Sequence, residues 1–232
     1  MRRLVAVALA VCCVAPLASC SSTTHAGGTS NAATELQGTP TDTSPEAGFA
    51  RDMSVHHAQA VAMAEAIRDR TTDPDLKLLA TNIALGQQAQ IGRMSGWLDE
   101  WGLSQTSTRA PMQWIRADNL IPMKPGVSMP GMDMSIGAVT VNTMAMGPDG
   151  QMPGMATRPE VTALGTLPIA AAEISFLQLM IAHHRAGVDM AEAILARTTR
   201  PDVVQLASSI VSGQQAEIGL MTEMLAKRGA TP

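Results

Sequence analysis

The stretch from Phe49 to Leu98 occurs twice. Residues 176–225 repeat it without a gap at an offset of 127, and roughly half of the paired positions are identical. The first copy opens Phe49-x3-Met53-x2-His56-His57 and continues to Met63-Ala64-Glu65-Ala66-Ile67. The second opens Phe176-x3-Met180-x2-His183-His184 and continues to Met190-Ala191-Glu192-Ala193-Ile194. Each then passes a Thr-Thr-x-Pro-Asp corner and ends in Gly-Gln-Gln-Ala-x-Ile-Gly-x-Met. A chain built this way folds as two related units that must bury matching faces against each other.

The period within each copy is helical. Phe49, Met53, His56, Ala60, Met63 and Ile67 are spaced by four and three in alternation, the seam of an inward helix face. After Asp73-Pro74, an N-cap followed by proline at the first helical position, Leu76, Ala80, Ile83, Gln87, Ile91, Met94 and Leu98 form the facing seam. Gly102 is a helix stop. Phe176 to Ile194 and Val203 to Leu225 repeat both seams, with Pro201 as the start and Gly229 as the end of the last helix. Two antiparallel hairpins that each expose one apolar stripe predict an all-α fold, a four-helix bundle with a pseudo-twofold axis. The absence of Tyr and the presence of only two Phe favour helices over sheets. The relative direction of the first and third long helices does not follow from the sequence.

The expected organisation is a lipoprotein signal peptide at 1–20, a tether at 21–45 and the bundle domain at 46–228. Within that domain lie a hairpin at 46–102, an insertion at 103–157 and a second hairpin at 158–228. Arg2-Arg3 precedes an apolar run from Leu4 to Leu17 that is short for a membrane span. Leu17-Ala18-Ser19-Cys20 resembles the bacterial lipobox, which places lipid on Cys20 and the mature chain on the extracytoplasmic face of the cell membrane. Cys12 and Cys13 leave with the signal, so a mature chain has no free thiol. The tether is rich in Ser, Thr, Gly and Asn and has too few apolar residues to fold. His25 within it is a solvated bystander. The insertion is dense in Gly, Pro and Met, which opposes regular structure. Thr157 to Glu160 fits a capping box for a short helix stopped at Gly165.

Met53 lies three residues before His56 and four before His57, so on a helix these side chains are neighbours; Met180, His183 and His184 repeat the arrangement. One His and one Met from each hairpin, meeting near the pseudo-axis, would give a soft four-donor site, and imidazole with thioether suits copper. The candidate ligands are Met53, His56, His57, Met63, Met180, His183, His184 and Met190. Gln87, Gln214 and Glu217, with Gln90 opposite Glu217 in the other copy, are candidate outer groups that orient the imidazoles. Gln87 sits on an apolar seam and needs a hydrogen-bond partner, which a histidine ring could supply. In the insertion, Met129, Met132, Met134, Met144, Met146, Met152 and Met155 are candidate thioether donors for Cu(I) or Ag(I), or adaptable packing against the bundle.

Several classes are excluded or disfavoured. The formal charge of −4 argues against a nucleic-acid partner. There is no Glu-x-x-His of a di-iron bundle, no His-Glu-x-x-His zinc motif and no Cys-x-x-Cys-His haem motif. Asp52 stands four residues before His56, but Leu179 replaces it in the second copy. No catalytic motif emerges, and the chain is not read as an enzyme.

The Met-x-x-His-His…Met-Ala pattern, followed by the Gln-x-x-Glu-Ile segment, resembles the bacterial family catalogued as domain of unknown function 305. The resemblance spans both hairpins and the Met-Pro-Gly-Met lead-in at Met152–Met155. It implies a ferritin-like four-helix bundle, export and, for some members, copper binding and resistance. Carried over by position, the family residues are Met53, His56, His57, Met63, Gln87, Met180, His183, His184, Met190, Gln214 and Glu217, while Gln90 departs from the common Glu. Two functions follow as expectations. One is a membrane-anchored Cu(I)/Ag(I) binding, sequestration or transfer protein. The other is a structural or interaction lipoprotein in which buried His-Gln networks bind no metal.

Overall fold

The computed structural model describes residues 38–115, 146–147 and 150–232. All regular structure among them is helical. It comprises α1 (Pro45–Arg68), α2 (Pro74–Glu100), a 3-10 turn (Gln113–Ile115), α3 (Arg158–Leu164), α4 (Ile169–Leu195) and α5 (Pro201–Lys227). No described helix is long and apolar enough to cross a membrane.

The helix ends follow local chemistry. Ser44 Oγ accepts from the Ala47 amide at 3.3 Å, and Asp73 Oδ1 accepts from Asp75 and Leu76 at 2.9 and 3.2 Å. Thr157 and Glu160 form the reciprocal capping box of α3. At the end of α2, Gly102 adopts φ +67° and the Leu103 amide reaches back to the Leu98 carbonyl at 2.8 Å; Gly229 and Ala230 repeat this at the end of α5.

Contacts between the hairpins fix the direction the sequence left open. Thr71, just beyond the end of α1, donates to Glu173 in the first turns of α4 at 2.6 Å. Thr198, just beyond the end of α4, donates to Glu46 at the start of α1 at 2.7 Å. The two bonds are copies of each other at the repeat offset, so α1 and α4 run antiparallel about a pseudo-twofold axis. The core divides accordingly. One cluster joins the end of α1 and start of α2 to the start of α4 and end of α5, around Met63, Ile67, Leu76, Phe176, Leu177 and Leu225. The other joins the opposite ends, around Phe49, Met53, Leu98, Met190, Ile194 and Val203. Burying each such large side chain contributes ~1.5–3 kcal/mol.

The duplication is not perfect where it meets the rest of the chain. Asp52 Oδ2 accepts from the Met112 amide at 2.7 Å and from Trp114 Nε1 at 2.9 Å. The Trp114 ring stands edge-on to Phe49 at 5.8 Å between centroids and seals that end of the bundle. In the second copy Leu179 stands at the matching position and packs against the other core cluster.

Residues 38–44, expected as part of the tether, lie on the bundle. Pro40 is buried, and Arg51 grips Asp42 through an ion pair of 2.6 Å and a bond to its carbonyl. Arg200 reaches the Gly38 carbonyl at 3.2 Å. A near-buried guanidinium that must satisfy its donors is what draws residues 38–44 onto the bundle. Residues 1–37, including Cys20, lie outside the described residues.

Candidate metal centre

Consecutive helix residues project about 100° apart, so each His-His pair splits between two directions. The first ring of each pair faces the other hairpin. The second faces its own hairpin's partner helix. All four rings are fully buried. His56 and His183 meet across the pseudo-axis with centroids 3.7 Å apart and planes inclined by 31°. His57 Nε2 lies 2.7 Å from Gln90 Oε1 on α2, and His184 Nε2 lies 2.7 Å from Glu217 Oε2 on α5. These two bonds again superpose at the repeat offset. A carboxylate only accepts, so Nε2 of His184 carries the hydrogen of this bond.

The remaining ring nitrogens make no well-formed hydrogen bond, although the Pro153 backbone lies beside His56 and the His56 backbone beside His183. Both nitrogens of His56 and His183, and Nδ1 of His57 and His184, are buried and unsatisfied. Burial pushes His56 down to about 3, with the neighbouring His57 adding to the effect, and His57 down to about 4, against the pull of Gln90. Burial, then the charge that His56 would carry, holds His183 well below the usual range. The rings of His56, His57 and His183 are therefore neutral imidazoles, the form that offers a lone pair to a metal.

The candidate thioethers fall into two groups, each with a methionine from either hairpin. Because α1 and α4 are antiparallel, Met53 shares a cluster with Met190 on one side of the rings, and Met63 shares one with Met180 on the other. Met94 joins the first group and Met221 the second. Both occupy matching positions on the facing seams, the one signal the sequence offers for them. The site is an imidazole pair between two methionine-bearing layers. No three His, Cys, Asp or Glu among the described residues are arranged to hold an ion. A cation at the pair would take its other donors from sulfur or amide groups.

Gln87 and Gln214 do not bond the histidines. Both amides are buried without a partner. The reason is positional: Gln90 and Glu217, nearly one turn further on, reach the ring nitrogens instead. Gln214 lies against Gly187, where a Cβ would stand only 2.3 Å from its Oε1.

One end of the Met-rich insertion reaches the site. Gln59 Nε2 donates to the Ala156 carbonyl at 2.9 Å, and the Ala156 amide donates to Gln59 Oε1 at 2.7 Å. Gly154 adopts φ +72° and sits so close to α4 that a Cβ would meet Ala186 Cβ at 2.6 Å and the Ala182 carbonyl at 2.7 Å. The segment from Met152 to Ala156 thus crosses from α4 to α1 at the level of the histidines. Met152 is buried in the cluster of Met53, Met94 and Met190, and Met155 packs on it half-buried. Met146 is exposed. Met129, Met132, Met134 and Met144 lie outside the described residues.

A helical bundle formed by two duplicated hairpins, with paired buried imidazoles at its centre, defines the class. The family described as Domain of unknown function (DUF305) matches residues 46–225, and the chain belongs to it. A DUF305 protein of Streptomyces coelicolor is 41% identical, with a TM-score of 0.65 over 82% of this chain and 98% of that one. A DUF305 fragment from Deinococcus radiodurans is 31% identical, with a TM-score of 0.57 over 79% and 96%. CopM in its Cu(I)-bound form is 25% identical, with a TM-score of 0.51 over 79% and 96%. CopM has also been crystallised in an Ag-bound form. An uncharacterised protein of Acanthamoeba polyphaga mimivirus is 42% identical over 52 residues, which span 22% of this chain and 34% of that protein.

Proposed function

We propose that this protein binds Cu(I), and Ag(I) as its analogue, on the extracytoplasmic face of a membrane to which lipidated Cys20 anchors it, and that it sequesters or transfers the ion and is not an enzyme. The observation that carries the reading is the unsatisfied nitrogens of His56 and His183. Each buried polar atom without a partner costs about 1–3 kcal/mol, and a metal ion would satisfy them. Neutral imidazole and thioether together form a soft donor set that suits Cu(I). His57 and His184 each hold one nitrogen to an outer acceptor and leave the other free, the arrangement that orients a metal-binding imidazole. The similarity to CopM, which has been crystallised with Cu(I) and with Ag, supports the reading.

The test is an anaerobic Cu(I) titration against a competing chelator. The wild-type chain takes up copper, and the His56→Leu, His183→Leu double variant loses most of the affinity. Equal uptake by both chains sinks the reading. Anchoring is checked separately: Cys20→Ala should release the protein from the membrane fraction.

The alternative is a structural module, favoured by the His57–Gln90 and His184–Glu217 bonds, which tie each hairpin together without any ion. It predicts no copper uptake, and a large loss of stability when those two bonds are removed.

A further inference from the structure

His56 and His183 have no exposed surface, so anything that reaches their nitrogens from solvent must displace part of the protein. Two sides of the pair are closed by core clusters that hold all four long helices together. Crossing the pair itself is the segment from Met152 to Ala156, which is not part of any helix. Met152 is buried in one core cluster and Ala156 in the other, and the remaining attachments are local. One is the two-bond clamp of the Gln59 amide on Ala156. Another is the close seat of Gly154 on Ala182 and Ala186. Pro153 places its backbone carbonyl near His56. A short strap with two buried side chains and two neutral clamp bonds opens at lower cost than a long helix packed along its length on both core clusters. The Gln59 clamp has no counterpart in the second copy, where Ala186 stands at the matching position. Among the described residues, one face of the duplicated site carries this strap and the other does not.

We propose that the Met152–Ala156 strap is the access gate of the histidine pair, clamped by Gln59, and that the Met152 thioether moves with it as the donor that brings a soft cation in. Opening breaks the clamp and lifts Met152 out of the cluster it shares with Met53, Met94 and Met190. Closing returns the sulfur, with any cation it carries, to the edge of the imidazole layer. The cargo rests on the copper reading above; the gate itself does not.

The gate is tested without metal by treating the protein with diethyl pyrocarbonate, which acylates accessible neutral imidazoles, and following each histidine by mass spectrometry. Gln59→Leu removes both clamp bonds, and Gly154→Ala forces the strap off α4. Both should raise the acylation rates of His56 and His183 at least tenfold and speed exchange of the Ala156 amide hydrogen. A core variant of matched stability, Ile210→Val or Leu76→Ala, should not. Rates that follow global stability alone, whichever variant is used, overturn the gate. Ag(I) uptake in the same chains separates the two readings. If acylation responds as expected and the wild-type chain takes up no Ag(I), the gate stands and the copper reading fails. Met152→Leu keeps the volume and removes the sulfur; it should slow Ag(I) uptake at least fivefold, and unchanged uptake overturns the donor role.

Discussion

His56 and His183 lie 3.7 Å apart between ring centroids, fully buried, and neither ring makes a well-formed hydrogen bond. At their contact the two halves of the duplication present the same polar residue to each other. In a protein selected only for stability, an aliphatic pair would serve better there.

That comparison gives the first prediction. In metal-free protein, the His56→Leu, His183→Leu double variant is at least as stable as wild type, because apolar side chains of similar size replace orphaned polar groups. The urea midpoint of apo protein is the measurement. A loss of more than about 2 kcal/mol would mean that the rings hold the bundle together themselves.

The metal-free protein should also weaken in mild acid. The ordinary histidine value is about 6.5, and His56 and His57 are lowered to about 3 and about 4 in the fold. Between those values the unfolded chain binds protons that the folded chain refuses. Stability therefore falls as pH falls below about 6.5, by up to roughly 1.4 kcal/mol per pH unit for each ring. These rings contribute no slope above that point. Denaturation midpoints at pH 7, 6 and 5 check the sign, and a flat profile down to pH 5 contradicts the burial of neutral rings.

The difference between Gln90 and Glu217 should be measurable. A carboxylate on His184 Nε2 makes that imidazole a better donor than the amide makes His57. Glu217→Gln is expected to weaken Cu(I) binding about tenfold, and Gln90→Glu to strengthen it. Competition titrations of the two variants give the answer. Identical affinities would show that these outer groups only brace the hairpins.

Asp52→Ala strands the Met112 amide and the Trp114 indole that the carboxylate now satisfies. The expected cost is about 1–3 kcal/mol, together with a change in tryptophan emission. Leu179→Ala, at the matching position, should leave the emission unaltered.

The helical seams, the corner caps and the capping box at Thr157 were legible because they depend on local spacing and on single residues with fixed geometric uses. The four imidazoles were legible because both copies kept them. The placement of the methionines was not. Whether Met53 meets Met180 or Met190 depends on the direction of α4 relative to α1, and that direction is set by Thr71–Glu173 and Thr198–Glu46, bonds between residues more than a hundred positions apart. Gln87 misled for a related reason. Its seam position correctly implied burial, yet only the relative height of the packed helices decides that Gln90 meets a ring nitrogen. Gln59 gave no signal at all, since its partner is a backbone group in an irregular segment.

Arg228 bonds Asp73 at 2.6 Å at one end of the bundle, and at the repeat-related place Arg200 stacks over Trp101 at 5.5 Å. The guanidinium has changed sides of the joint, and its counterpart has changed from an anion to an indole. Added electrolyte screens the first pairing and leaves the stacked one largely intact, so brine should loosen one pole of this molecule before the other.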